Sequence, residues 1–155
     1  MKIDDTTLAT FRRALRQLEA GIGQNLSDET SCCGVTVAQC HLLLETGLCG
    51  NASLGELSQR LATDKSALSR TVESLVQAGY VTREENSENR RKVSISLTPA
   101  GDEKVRYINR LCNESYADVF SRIPEDKHQM IVESVMILAG AMRDAKKSRK
   151  EETCC

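Results

Sequence analysis

The chain has no tryptophan, only two phenylalanines and three tyrosines, and just two histidines in 155 residues. Nowhere do apolar residues run for the about 18 positions that a membrane-spanning helix requires, so no transmembrane segment is expected. The opening MKIDDTTLATFRR carries neither an apolar signal core nor a small-residue cleavage site, and the expectation is a cytoplasmic chain. There is no glycine-rich phosphate loop, no pair of catalytic histidines and no metal-hydrolase spacing. A cysteine nucleophile needs an orienting histidine, and His41, adjacent to Cys40, has the wrong geometry for that task. Enzyme readings therefore have little to stand on. An excess of positive charge is missing too. The net charge of −1 excludes a generic nucleic-acid coat, although a specific DNA binder needs only a local basic surface.

What the chain does have is seven cysteines, unevenly placed: Cys32 and Cys33 adjacent, Cys40 and Cys49 close by, Cys112 distant, and Cys154 and Cys155 at the end. In a reducing compartment a disulfide framework is not expected. Cys32 and Cys33 cannot form an ordinary bridge with each other, because neighbouring α-carbons lie about 3.8 Å apart and disulfides usually need about 4.4–6.8 Å. A thiol site for a metal, metalloid or oxidant fits the spacing better.

Apolar periodicity predicts a mainly α chain with one small β-hairpin. Leu8, Phe11, Leu15, Leu18 and Ile22 mark a helix over 6–26, followed by an expected polar loop over 27–35. Thr36 is the expected N-cap of a helix reaching about Thr46, with Val37, Cys40, Leu43 and Leu44 on one face and Gly47 and Gly50 as breakers. Ser53 and Glu56 form a capping box ahead of a short helix striped by Leu54, Leu57 and Leu61. After a break at 62–65, capped by Thr63 or Asp64, a helix with Leu68, Val72, Leu75 and Val76 inward runs to a stop at Gly79. Tyr80–Arg83 and Lys92–Leu97 read as the two strands of a hairpin. Pro99 and Pro124 open two further helices, striped by Val105, Ile108, Cys112, Ser115 and Val119 and by Met130, Ile131, Val135, Leu138 and Met142. The stretch from about Lys146, with Lys147, Arg149 and Lys150, reads as a solvated, disordered tail.

Two short helices across a tight turn, followed by a hairpin, make a winged helix-turn-helix. The second helix then presents Lys65, Ser66, Ser69, Arg70, Glu73 and Gln77 opposite its apolar stripe. Arginine binds guanine bidentately, and serine reaches phosphates or base edges. Arg90, Arg91 and Lys92 sit on the returning side of the hairpin, where a basic wing meets phosphates or a narrow minor groove.

The segments LGELSQRL (54–61), SRTVESLVQAGYVTR (69–83) and RRKVSISLTPAG (90–101) resemble the MarR family of transcriptional regulators. The resemblance implies a winged helix-turn-helix over 36–97, a helical dimerisation region from 1–35 and 98–146, and a flexible tail over 147–155. It further implies a homodimer, a palindromic DNA operator, and repression relieved by a ligand. The wing departs from the family pattern. Where an acidic residue, an arginine and a second acidic residue usually precede the basic pair, this chain has Asn86, Glu88 and Asn89.

In MarR-like folds the loop before the second helix lies near the dimer interface and the long fifth helix. Cys32, Cys33, Cys40 and Cys112 are therefore the candidate ligands of a soft ion, joined by Cys154 and Cys155 if the tail closes over the site. Arsenic(III), which takes three thiolates in a pyramid, is the favoured inducer, with Zn(II), Cd(II) and Hg(II) as alternatives. Three other readings stay open: oxidation of Cys33 or Cys40 and capture by a second thiol, a zinc-stabilised DNA-binding or scaffolding protein without inducer, and an aromatic small-molecule ligand with the cysteines incidental. As a plain packing residue, Cys40 or Cys112 is a small buried hydrophobe.

Overall fold

The computed structural model describes the backbone of residues 3–85 and 93–152, with side chains described except over 25–32, at 85 and over 146–152. In order the elements are α1 (Asp5–Cys33), α2 (Val37–Cys49), β1 (Asn51–Ser53), α3 (Leu54–Arg60), α4 (Lys65–Gln77), β2 (Val81–Glu85), β3 (Val93–Leu97), α5 (Pro99–Ser121), a 3-10 turn (Glu125–Lys127) and α6 (His128–Glu152). The mainly α winged helix-turn-helix expected from the sequence is present.

The expected loop over 27–35 is a correction: α1 continues through it to Cys33. Serine, aspartate and threonine weaken a helix but do not stop one. The stop is Gly34, whose φ of +67° is a left-handed conformation that glycine adopts without Cβ strain. Val35, 7% exposed, then plugs the corner into the core. Gly47 is a second correction, because it lies inside α2, which ends at Gly50. A Cβ at Gly47 would stand 3.3 Å from Leu97 Cδ1 and 3.4 Å from Val105 Cγ1, so its place is one of close approach. The tail is a third: the described backbone of α6 stays helical to Glu152.

The chain divides into two compact units, residues 1–112 and 113–155. The core of the first gathers Leu42, Leu43, Leu57, Leu68, Val72, Leu75, Val81, Ile95 and Ile108, all at or below 3% exposure. On α2, Leu42 and Thr46 are buried as well as Cys40 and Leu43, so this helix is enclosed on more than the single face expected. Thr46 settles its buried hydroxyl by donating to the Leu42 carbonyl at 2.7 Å. The sheet has order β1-β3-β2, all antiparallel. Its third strand, β1, is too short to show a period of two and pairs Asn51 with Ser96 and Ser53 with Ser94. In the second unit, His128 Nε2 lies 3.0 Å from the carbonyls of both Phe120 and Ile123, which closes the corner between α5 and the 3-10 turn.

The start of α5 is pinned where Thr98 N–H donates to the Tyr80 carbonyl at 3.0 Å. Gly101 sits directly over this contact, and a Cβ there would fall 2.0 Å from the Tyr80 oxygen. Gly101→Ala is expected to destabilise the fold by about 1–3 kcal/mol or more. Urea unfolding would register this as a lower midpoint at unchanged slope, and a midpoint equal to wild type would contradict it.

Candidate nucleic-acid interface

Helix α4 is the amphipathic element around which the interface is built. Leu68, Val72 and Leu75 are 3%, 2% and 0% exposed, one stripe at the helical period. Val76, expected beside them, is only half-buried. Lys65, Ser66, Arg70, Glu73 and Gln77 all face solvent. Burial of the stripe forces this polar face outward.

Both helices of the motif are strongly capped. On α3 the Ser53 hydroxyl accepts from Glu56 N–H at 3.2 Å, and the Glu56 carboxylate accepts from Ser53 N–H at 2.8 Å. Arg60 at its far end pairs with Glu45 of α2 at 3.1 Å. On α4 the Asp64 carboxylate accepts from the backbone N–H groups of Ser66 and Ala67 at 2.8 and 3.0 Å and from the Ser66 hydroxyl at 2.5 Å. The Ser66 hydroxyl proton is thus engaged in the cap, which leaves that oxygen only acceptor capacity for a further partner.

Ser69 is a partial exception to the expected polar face. It is half-buried and lines a cleft of about 380 Å³ with Ser53, Leu54, Gly55, Val72, Arg83, Val93 and Ile95. The cleft lies between the start of α3, the flank of α4 and the root of the hairpin. Arg83, an exposed cation on β2 opposite Ile95, was not among the sequence candidates. The period of two places it on the same side as the buried Val81, which is the signal that was available. Arg90, Arg91 and Lys92 lie outside the described residues, as do Asn86, Glu88 and Asn89 of the hairpin tip.

The cysteines gather differently from the expected loop site. Cys32 and Cys33 occupy the last turn of α1, not a loop. Cys33 and Cys40 are each 5% exposed and belong to the apolar core, with Cys49 and Cys112 packed against it. Among the described residues no three His, Cys, Asp or Glu side chains are grouped to hold a metal ion. Cys33, Cys40 and Cys112 therefore share a core without closing on a common point. The Cys32 side chain and all of Cys154 and Cys155 lie outside the described residues. Above the corner, Lys104 Nζ donates to the Cys33 carbonyl at 3.2 Å and lies 5.2 Å from the Tyr80 ring centroid and 5.9 Å from that of Tyr107. A cation on the last carbonyl of a helix complements its dipole.

The comparisons with known proteins agree with this geometry. Residues 34–92, which run from the turn before α2 through α3, α4 and β2, match the model of the MarR family. It is 28% identical to the HTH-type transcriptional repressor MdtR of Bacillus subtilis (strain 168) over 104 residues, which is 67% of each chain. Among solved structures, the MarR family transcription regulator SP03579 aligns with TM-score 0.79 at 23% identity, covering 92% of this chain and 94% of that one. A cysteine-to-serine mutant of MarR from E. coli, complexed with operator DNA, aligns with TM-score 0.74 at 20% identity over 88% of this chain and 99% of that one.

The cap on α4 rests on a titratable group. The Ser66 hydroxyl first, then the Ala67 and Ser66 N–H groups, hold the Asp64 carboxyl below its ordinary value of 3.8. A lowered folded-state value contributes stability that is fully present above pH 3.8 and lost as pH falls through the folded-state value. Asn caps without titrating. Urea unfolding of wild type and Asp64→Asn is expected to show a wild-type advantage at neutral pH that shrinks toward pH 3 by about the scale of a linkage effect. A difference that is constant with pH would contradict it.

Proposed function

We propose that the chain is a homodimeric transcriptional repressor that sets α4 into the major groove of a palindromic operator and is released when its thiols bind a soft ion. The observation that carries the DNA reading is the polar face of α4. Lys65, Ser66 and Arg70 are exposed on the first two turns, the part of a recognition helix that meets base edges. Arg83 adds an exposed cation on β2, at the root of the hairpin. Repression is supported by the printed role of MdtR, and DNA binding by the operator complex of the E. coli MarR mutant.

The dimer is supported by apolar residues left uncovered in each unit. On α1 Leu18 is 51% exposed and Phe11 42%, and on α6 Met136 and Ile137 are 69% and 74% exposed. Exposure of this kind marks an interaction surface. Among the described residues no helix is long and apolar enough to cross a membrane, so a membrane-spanning role does not account for it.

The inducer reading rests on the core position of Cys33 and Cys40. An ion that takes both thiolates has to open the apolar packing between α1 and α2, so its binding favours a rearranged protomer over the DNA-competent one. Arsenic(III) suits this best, with Cys32 or Cys112 as third thiolate. Zn(II), Cd(II) and Hg(II) share the softness.

The test is fluorescence anisotropy of the reduced protein on DNA from upstream of its own coding sequence, without oxygen, titrated with arsenite. Release near one equivalent per site is expected, together with retention on DNA for Cys33→Ser and Cys40→Ser. An unmoved wild-type isotherm would sink the metalloid reading, as would release that survives serine at Cys32, Cys33 and Cys40. Peroxide and small aromatic acids in the same assay read the redox and aromatic-ligand alternatives.

A further inference from the structure

The geometry points to Gln39 as a positioning residue that sets the rotation of the recognition helix, through one hydrogen bond to Ser74. Gln39 is the third residue of α2, and its side-chain oxygen accepts from the Thr36 N–H at 2.8 Å. A backbone N–H can only donate, so this contact fixes the amide orientation and turns the NH2 group outward from α2. That group donates to the Ser74 hydroxyl of α4 at 3.0 Å, and Ser74 in turn donates to the Thr71 carbonyl at 2.8 Å. Gln39 and Ser74 are both half-buried, where competition from water is reduced.

This bond does something the surrounding apolar contacts do not. Leu68, Val72 and Leu75 fix how deeply α4 sits, but dispersion and hydrophobic burial are non-directional and tolerate small rotation of a helix about its axis. A hydrogen bond is directional. Ser74 lies one turn beyond Arg70, so the rotation that Gln39 holds at Ser74 also sets where the Arg70 guanidinium projects. Thr36, which orients Gln39, follows Cys33 by three residues. On the same corner, Lys104 joins the Cys33 carbonyl to the face of Tyr80, just past the end of α4. The corner that carries the adjacent cysteines is thereby linked to α4 at two points.

The inference rests on the DNA-binding reading and is independent of which inducer acts. Two variants isolate the bond. Gln39→Glu keeps the acceptor for Thr36 N–H, and so keeps the cap of α2, while losing the donor to Ser74. Ser74→Ala removes the acceptor without adding charge. Both single variants and the double variant are measured by anisotropy on a duplex selected by the wild-type protein from a random library, and on a scrambled duplex, beside thermal unfolding of each protein. Each single variant is expected to bind the selected duplex on the order of fivefold more weakly. The double variant should be no weaker than the weaker single one, scrambled-duplex binding should change less, and each protein should stay folded at the temperature of the binding assay. Wild-type affinity for Ser74→Ala overturns the inference, and so do additive losses or equal losses on both duplexes. A wild-type chain that selects no duplex overturns the DNA reading with it, whereas arsenite release from wild type bears on the thiol reading alone.

Discussion

Burial of Leu68, Val72 and Leu75 is the constraint on which the interface depends. With that stripe seated among Leu42, Leu43, Leu57, Val81 and Ile95, the residues offset by half a helical turn have nowhere to go but outward. Lys65, Ser66, Arg70, Glu73 and Gln77 face solvent because their neighbours do not. The caps then fix the ends: Asp64 ties down the first N–H groups of α4, and the Tyr80 N–H returns to the Leu75 carbonyl at 3.0 Å beyond Gly79. Neither end can unwind without exposing backbone groups. The polar face is thus presented on a helix capped at both ends.

The same core holds two of the thiols, Cys33 and Cys40. A cysteine pair on a mobile loop could bind an ion with little consequence. Cys33 and Cys40 instead sit among the side chains that support α2 and α4, and close-packed interiors transmit displacement instead of absorbing it. The directional contact from Gln39 to Ser74 runs from α2 to α4, and the Lys104 contact reaches Tyr80 just past the end of α4. Cys33 and Cys40 thus share one packed core with Leu68, Val72 and Leu75 of α4, and under the proposed function a change at the thiols would be felt at Arg70 on the same helix.

Much of this was legible in the sequence, for physical reasons that also explain what was not. Strong, local signals read true: Ser53 with Glu56, Thr36 as a cap, Asp64 before α4, the alternation of Val93, Ile95 and Leu97, and Pro99 at the first position of α5. Each depends on side chain and backbone within three or four residues. The misread stretches have separate reasons. Residues 27–33 look like a loop by composition, yet α1 carries through them, and the true stop, Gly34, was present but unused. Gly47 looks like a breaker and is a contact position against Leu97 and Val105. The Gln39–Ser74 bond spans 35 residues, and no local pattern announces a contact at that separation. The cysteine set was noticed from its spacing alone, but spacing cannot tell a loop thiol from one buried in a core.

Protection of guanine N7 from dimethyl sulfate on the selected duplex tests most directly whether the exposed face of α4 reads DNA. Guanine N7 lies in the major groove, and a dimer bearing two copies of α4 is expected to protect it in two half-sites about 10 base pairs apart. Arg70→Ala should remove that protection at one guanine in each half-site while leaving the chain folded. Bound DNA whose guanines stay fully reactive, or a protection pattern unchanged by Arg70→Ala, would contradict a major-groove role for this helix.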